Sequence, residues 1–146
     1  MSEHVAKVRW ERGGADFSYE TYPRDHELEW GGGARTAASA ALEYRGSASL
    51  PNPEELLVGA LSSCHMLTFL AVCARKGVVV ERYEDDARGV LEKNESGRLA
   101  VTRVTLRPRV TFAGEAPAPD VLARLHQQAH NGCFIAASVK TEVAIE

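Results

Sequence analysis

The residues of this chain whose types could do chemistry are three cysteines, Cys64, Cys73 and Cys133, and the histidines His65, His126 and His130. A thiolate is a nucleophile and a metal ligand, whereas a protonated, buried thiol packs like a small hydrophobe. Cys64 lies inside a long apolar run, where packing alone would account for it. Cys73 follows nine residues later. At about 100° per helical residue it faces the opposite side of the same helix, so it cannot pair with Cys64 there and reads as core. Cys133 follows Gly132, where a helix ends and the chain turns. A thiol can move at such a place. His126 and His130 are four apart on one helical face with Cys133 close in sequence, a donor set zinc accepts. The HExxH pattern is missing and no fourth ligand is evident.

Thiol-based peroxide reduction makes specific demands. The nucleophile must ionise below the usual thiol value of about 8.5, with help from a cation or hydrogen-bond donors. A second thiol must trap the sulfenic acid before it oxidises further. Arginine suits the activating role because it is always charged, and a carboxylate can hold it by a bidentate pair. His65, next to Cys64, would lower a nearby thiol pKa if it were an imidazolium.

The elements that must position these groups follow from pattern. Asn52-Pro53-Glu54-Glu55 starts a helix: Asn is a favoured cap, Pro suits the first turn, and Glu55 can return a hydrogen bond to the cap. The helix is expected to run to Lys76, with Gly77 making the left-handed exit. Its apolar residues surround the axis, which marks a buried helix. So small a chain has little left to cover it, so a homodimer is expected, with partner helices covering each other. The 18 residues from Leu56 to Cys73 approach the length of a membrane span, but Ser62, Ser63, His65 and Thr68 interrupt them, and a buried helix fits better.

Before this helix, Val5–Tyr22 reads as a β-hairpin around Gly13-Gly14, His26–Trp30 as a short strand, and Ala34–Leu50 as a loop or edge strand. After it come a long strand over Val78–Lys93, a turn at Asn94–Gly97, and a strand over Leu99–Phe112 with a two-residue period. A second helix spans about Pro119 to His130, and Ser138–Ile145 closes as a strand. The fold class is α+β: helices packed on a largely antiparallel sheet, in one domain over residues 1–146.

Composition narrows the function classes. A chain of 146 residues with 45% apolar and 25% charged residues is an ordinary globular domain. A net charge of −3 gives no basic field for nucleic acid. Three cysteines and no apolar leader point to a reducing, cytoplasmic setting.

Asn52-Pro53-Glu54-Glu55-Leu56-Leu57, then Ala60-Leu61-Ser62-Ser63-Cys64, then Asn131-Gly132-Cys133 and the Ser138–Val143 strand, resemble the OsmC/Ohr family. These are the osmotically inducible protein C and organic hydroperoxide resistance proteins. The resemblance implies an OsmC-like intertwined homodimer with long central helices. It implies two active sites at the subunit interface and thiol-based reduction of organic hydroperoxides. Cys64 would attack the peroxide and Cys133 would resolve it as a disulfide. Glu54 would hold an activating arginine, and an external dithiol would restore the thiols. No cofactor or metal enters this reading.

The family's arginine lies in the N-terminal half. Arg12, Arg24, Arg35 and Arg45 are the candidates here, with Arg24 in Tyr22-Pro23-Arg24-Asp25-His26 first and Arg35 second. Glu54 precedes Cys64 by ten residues, or about 15 Å of helix, so a shared site needs Glu54 from the partner. His65 departs from the aromatic or apolar residue usual after the first cysteine. Two other readings compete: a non-enzymatic dimer binding a small apolar ligand in the interfacial pocket, and the His126–His130–Cys133 metal module.

Overall fold

The computed structural model describes residues 1–146, in two compact units, Met1–Leu56 and Leu57–Glu146.

In the first unit, β1 (Ala6–Arg9), β2 (His26–Trp30) and β3 (Arg35–Ala38) form an antiparallel sheet in that order. The hairpin expected over Val5–Tyr22 does not form: β1 pairs instead with β2, Ala6 opposite Trp30. Gly13 and Gly14 do take positive φ, as a tight turn requires, but the residues after them curl. The Tyr22 N–H donates to the Ser18 carbonyl at 3.0 Å and the Thr21 hydroxyl to that of Asp16 at 2.8 Å. Trp10, Phe17 and Tyr22 then pack on one another, with ring centroids 5.4 to 6.3 Å apart. The stretch that suggested a second strand is instead an aromatic cluster built on a loop.

The helix α1 (Pro53–Arg75) has the start and stop its sequence predicts. Asn52 Oδ1 accepts from the Glu55 N–H at 2.9 Å, and Glu55 Oε2 accepts from the Asn52 N–H at 3.1 Å. This reciprocal box satisfies two donors that a helix start leaves free. At the other end Gly77, at φ 72°, lets the Val78 N–H reach back to the Cys73 carbonyl at 2.9 Å.

The second unit packs the body of α1 against two small sheets and a second helix. β4 (Val80–Asp85) pairs antiparallel with β7 (Pro108–Phe112). β5 (Arg88–Lys93), β6 (Leu99–Leu106) and β8 (Glu142–Ile145) form the other sheet, with β6 and β8 parallel. The long strands expected over Val78–Lys93 and Leu99–Phe112 are therefore each broken in two. Pro108 has no N–H to continue the ladder, and Asp85 takes over at the break. Its carboxylate accepts from the Arg107 N–H at 2.6 Å and from the Ser62 hydroxyl at 2.5 Å.

The break separates two cores. Phe69, Cys73, Leu125 and Ala129 join α1 to α2 (Pro119–Gly132), with Tyr83, Val110 and Phe112 around them. Leu61 of α1 meets Val104 and Leu106 of β6. After α2 the chain makes a short helix, α3 (Phe134–Ser138), that the sequence reading lacks, and the last strand starts at Glu142 instead of Ser138. The mixed α+β architecture with mainly antiparallel pairing is as expected.

Within the chain α1 is not the buried helix its composition demands. Its most apolar 18-residue window has a mean hydropathy of 1.9, yet only 22% of that window is buried. Ala60, Ser63, Leu67 and Ala74 are exposed and Leu70 and Ala71 half-buried. This three-to-four spacing is one stripe along the helix.

Candidate active site

Cys64 sits in the middle of α1, half-buried, and Cys133 sits buried at the junction of α2 and α3. Cys133 belongs to both helices at once. Its N–H donates to the His130 carbonyl at 3.2 Å, closing α2. Its Sγ accepts from the Ala136 N–H at 3.4 Å, capping α3. This cap brings the N–H groups of Phe134 and Ile135 to face the Cys64 sulfur. Both thiols are free, and they lie close enough for each to shift the ionisation of the other.

The electrostatics of the two thiols diverge. Burial pushes the Cys64 thiol up, but the Ile135 N–H, the Cys133 thiol, the Phe134 N–H and the Thr68 hydroxyl together outweigh it. The net pKa lies below that of an ordinary cysteine. Cys133 moves up, chiefly through burial and then through its neighbour Cys64. Negative charge therefore belongs on Cys64, and Cys133 keeps its proton to donate. That division suits a nucleophile beside a thiol that reacts second. Cys73 lies in the α1–α2 core, and burial raises its pKa, as fits a packing residue.

His65 does not serve the sulfur. It is 1% exposed, and its Nε2 meets His126 Nδ1 at 3.0 Å. Burial, then the positive charge possible at His126 and His130, lowers its pKa to about 4. It is therefore neutral and supplies no cation to Cys64, contrary to the role open to an imidazolium. The metal reading fails on geometry: His126 Nδ1 is engaged with His65, and no three His, Cys, Asp or Glu side chains come together to hold an ion.

Arg24 and Glu54 both belong to the first unit, where they line a small cleft of about 200 Å³ with His26, Ser39 and Tyr44. They form no ion pair. The Arg24 guanidinium donates to the carbonyls of Tyr22 and Tyr19 and lies 3.5 Å from the Tyr22 ring centroid. Arg24 also borders an open, mainly apolar cleft of about 440 Å³ lined by Val8, Trp10, Phe17 and Tyr22. Of the other arginines, Arg35 faces Glu27 at 3.7 Å, Arg45 lies 5.8 Å from the Tyr19 ring centroid, and Arg12 is exposed.

The structure thus brings Cys64 together with Cys133, and Arg24 together with Glu54. Sequence reasoning missed the donors around Cys64. Backbone N–H groups carry no residue-type signal, but Thr68, one helical turn after Cys64, was visible as an i+4 hydroxyl.

Comparison with known proteins follows the same lines. Residues 46–146 match the family model of the OsmC-like proteins. An OsmC-like protein of unknown function from Vibrio cholerae is 44% identical, with a TM-score of 0.95 over 100% of this chain and 99% of that one. The uncharacterized protein YmaD of Bacillus subtilis is 26% identical over 113 residues, 76% of this chain and 75% of that protein. The organic hydroperoxide resistance protein OhrB of Bacillus subtilis shares the fold at 16% identity, with a TM-score of 0.71 over 99% of this chain and 97% of that one. The chain belongs to the OsmC-like protein family.

Proposed function

We propose that this chain is a thiol peroxidase that reduces organic hydroperoxides. The observation that carries the reading is the Cys64–Cys133 pair: two free thiols in mutual reach, one favouring the thiolate and the other the thiol. The Cys64 thiolate attacks the terminal peroxide oxygen and the O–O bond breaks. An alkoxide leaves and takes a proton from solvent, and Cys64 becomes a sulfenic acid. Cys133 attacks that sulfur, water departs, and a disulfide remains. An external dithiol reduces it through a mixed disulfide and is itself oxidised. The resemblance to proteins named for organic hydroperoxide resistance supports this substrate class.

The working form in this reading is a cytoplasmic homodimer. The exposed stripe of α1 supports a second copy of the same helix as its cover. Glu54 and Arg24 are the proposed partner contribution to each Cys64, because ten residues of helix, about 15 Å, separate Glu54 from the cysteine of its own chain. In that role Arg24 exchanges its carbonyl contacts for Glu54 and the peroxide.

A second reading, binding of an apolar ligand without turnover, is favoured by the open aromatic cleft beside Arg24. Consumption of cumene hydroperoxide with excess dithiothreitol separates the two. Turnover lost in Cys64→Ser, with a Cys64–Cys133 disulfide in the wild type by mass spectrometry, is the expected result. Wild-type consumption no faster than dithiothreitol alone would overturn the peroxidase reading.

A further inference from the structure

Thr68 lies one turn after Cys64 on α1, and its two branches make different contacts. Its hydroxyl donates to the Cys64 carbonyl at 2.8 Å. Its Cγ2 methyl lies against the last residue of α2, so close that a Cβ built on Gly132 would be 3.1 Å away. The hydroxyl has one proton to give. A carbonyl already bonded within the helix gains little from a second donor, whereas a thiolate gains a charge-assisted bond.

We propose that Thr68 is a positioning residue for the cysteine pair, resting on the peroxidase reading above. Its hydroxyl turns to the Cys64 sulfur when that sulfur ionises. Its methyl group sets the distance of the α2 end, and with it the reach of Cys133. One side chain thus tunes the nucleophile and spaces the resolving cysteine. The hydroxyl is among the groups that favour the Cys64 thiolate. Cys133 is the titratable neighbour that acts on that sulfur; the backbone N–H groups of Phe134 and Ile135 also favour its ionised form.

Two variants separate the two branches. Thr68→Val keeps the wedge and removes the proton; Thr68→Ser keeps the proton and removes the wedge. The first readout is the pH dependence of Cys64 alkylation by iodoacetamide in reduced protein, mapped by mass spectrometry. The second is the ratio of disulfide to Cys64 sulfinic acid after a pulse of cumene hydroperoxide. Thr68→Val is expected to raise the alkylation midpoint by roughly half a unit to one unit, a drop of about three- to tenfold in rate below it. Its disulfide yield stays at the wild-type level. Thr68→Ser is expected to keep the midpoint and to raise the sulfinic fraction by about threefold or more, because resolution slows. An unchanged midpoint in Thr68→Val overturns the role of the hydroxyl, and wild-type disulfide yield in Thr68→Ser overturns that of the methyl. The alkylation arm needs no peroxide turnover. Failure of the peroxidase reading would instead show as wild-type protein that forms neither oxidised product.

Discussion

The imidazoles of His65 and His126 meet end to end, Nε2 to Nδ1 at 3.0 Å, from α1 and α2. Their planes differ by 8° and their centroids are 5.3 Å apart. That separation is one N···N contact plus two ring radii, so the rings share a plane instead of stacking. Phe69 covers the His126 face at 4.3 Å. A single shared proton makes this bond, so the folded state resists taking up a second one.

That resistance makes stability depend on pH. Above the ordinary histidine value of 6.5, folded and unfolded chains both hold His65 neutral and nothing is lost. As the pH falls from there toward about 4, the unfolded chain binds a proton that the folded chain refuses, and stability drops. Urea denaturation between pH 7 and pH 4 is expected to show a loss on the order of 2 kcal/mol in the wild type. His65→Phe should be less stable at pH 7 and flatter below it. An unchanged slope in that variant would rule out His65 as the cause.

Asp85 holds the break between the two strand pairs to α1. Asp85→Ala leaves the Arg107 N–H and the Ser62 hydroxyl without their acceptor. A loss of about 2–3 kcal/mol in urea denaturation is expected. A loss under about 0.5 kcal/mol would mean that water replaces the carboxylate without cost.

Gly132→Ala adds a methyl group 3.1 Å from the Thr68 Cγ2, while alanine also favours the helix by about 0.5–1 kcal/mol. In the wild-type background the two effects are expected to cancel or leave a small net loss. In a Thr68→Ser background the clash is absent and the same change should stabilise. A double-mutant cycle with no coupling between the positions would show that α2 shifts freely at its end.

Leu67, 61% exposed in the chain, lies at the centre of the apolar stripe on α1. If a second copy covers that stripe, Leu67→Glu buries a charge there and should convert dimer to monomer at micromolar concentration. Sedimentation velocity measures this, and a variant that stays dimeric would place the interface elsewhere.

What the sequence made legible was local. The ends of α1 follow from Asn52, Glu55 and Gly77, each acting within five residues of its partner, and the motif around Cys64 carried the family. What it hid depends on distant approach. His65 and His126 are 61 residues apart, and nothing in either residue's identity says that their rings face. The short helix after Cys133 is capped by a sulfur, a role that cap preferences do not anticipate. The hairpin expected over Val5–Tyr22 rested on partial alternation around Gly13-Gly14, which could not show that Trp10, Phe17 and Tyr22, spaced seven and five residues apart, meet across a loop instead. Arg24 could be ranked but not assigned, because any of several exposed cations satisfies the same charge requirement.

The apolar character of α1 has a consequence during synthesis. Its capping box is complete once Glu55 has emerged, so the helix can form early and alone. Its core partners, Val104 and Leu106 on one side and Leu125 and Ala129 on the other, arrive some 30 to 70 residues later. Until then an 18-residue segment with mean hydropathy 1.9 stands uncovered on the ribosome. The nascent chain is most prone to aggregate in that interval, and a chaperone that binds apolar helices should hold it there.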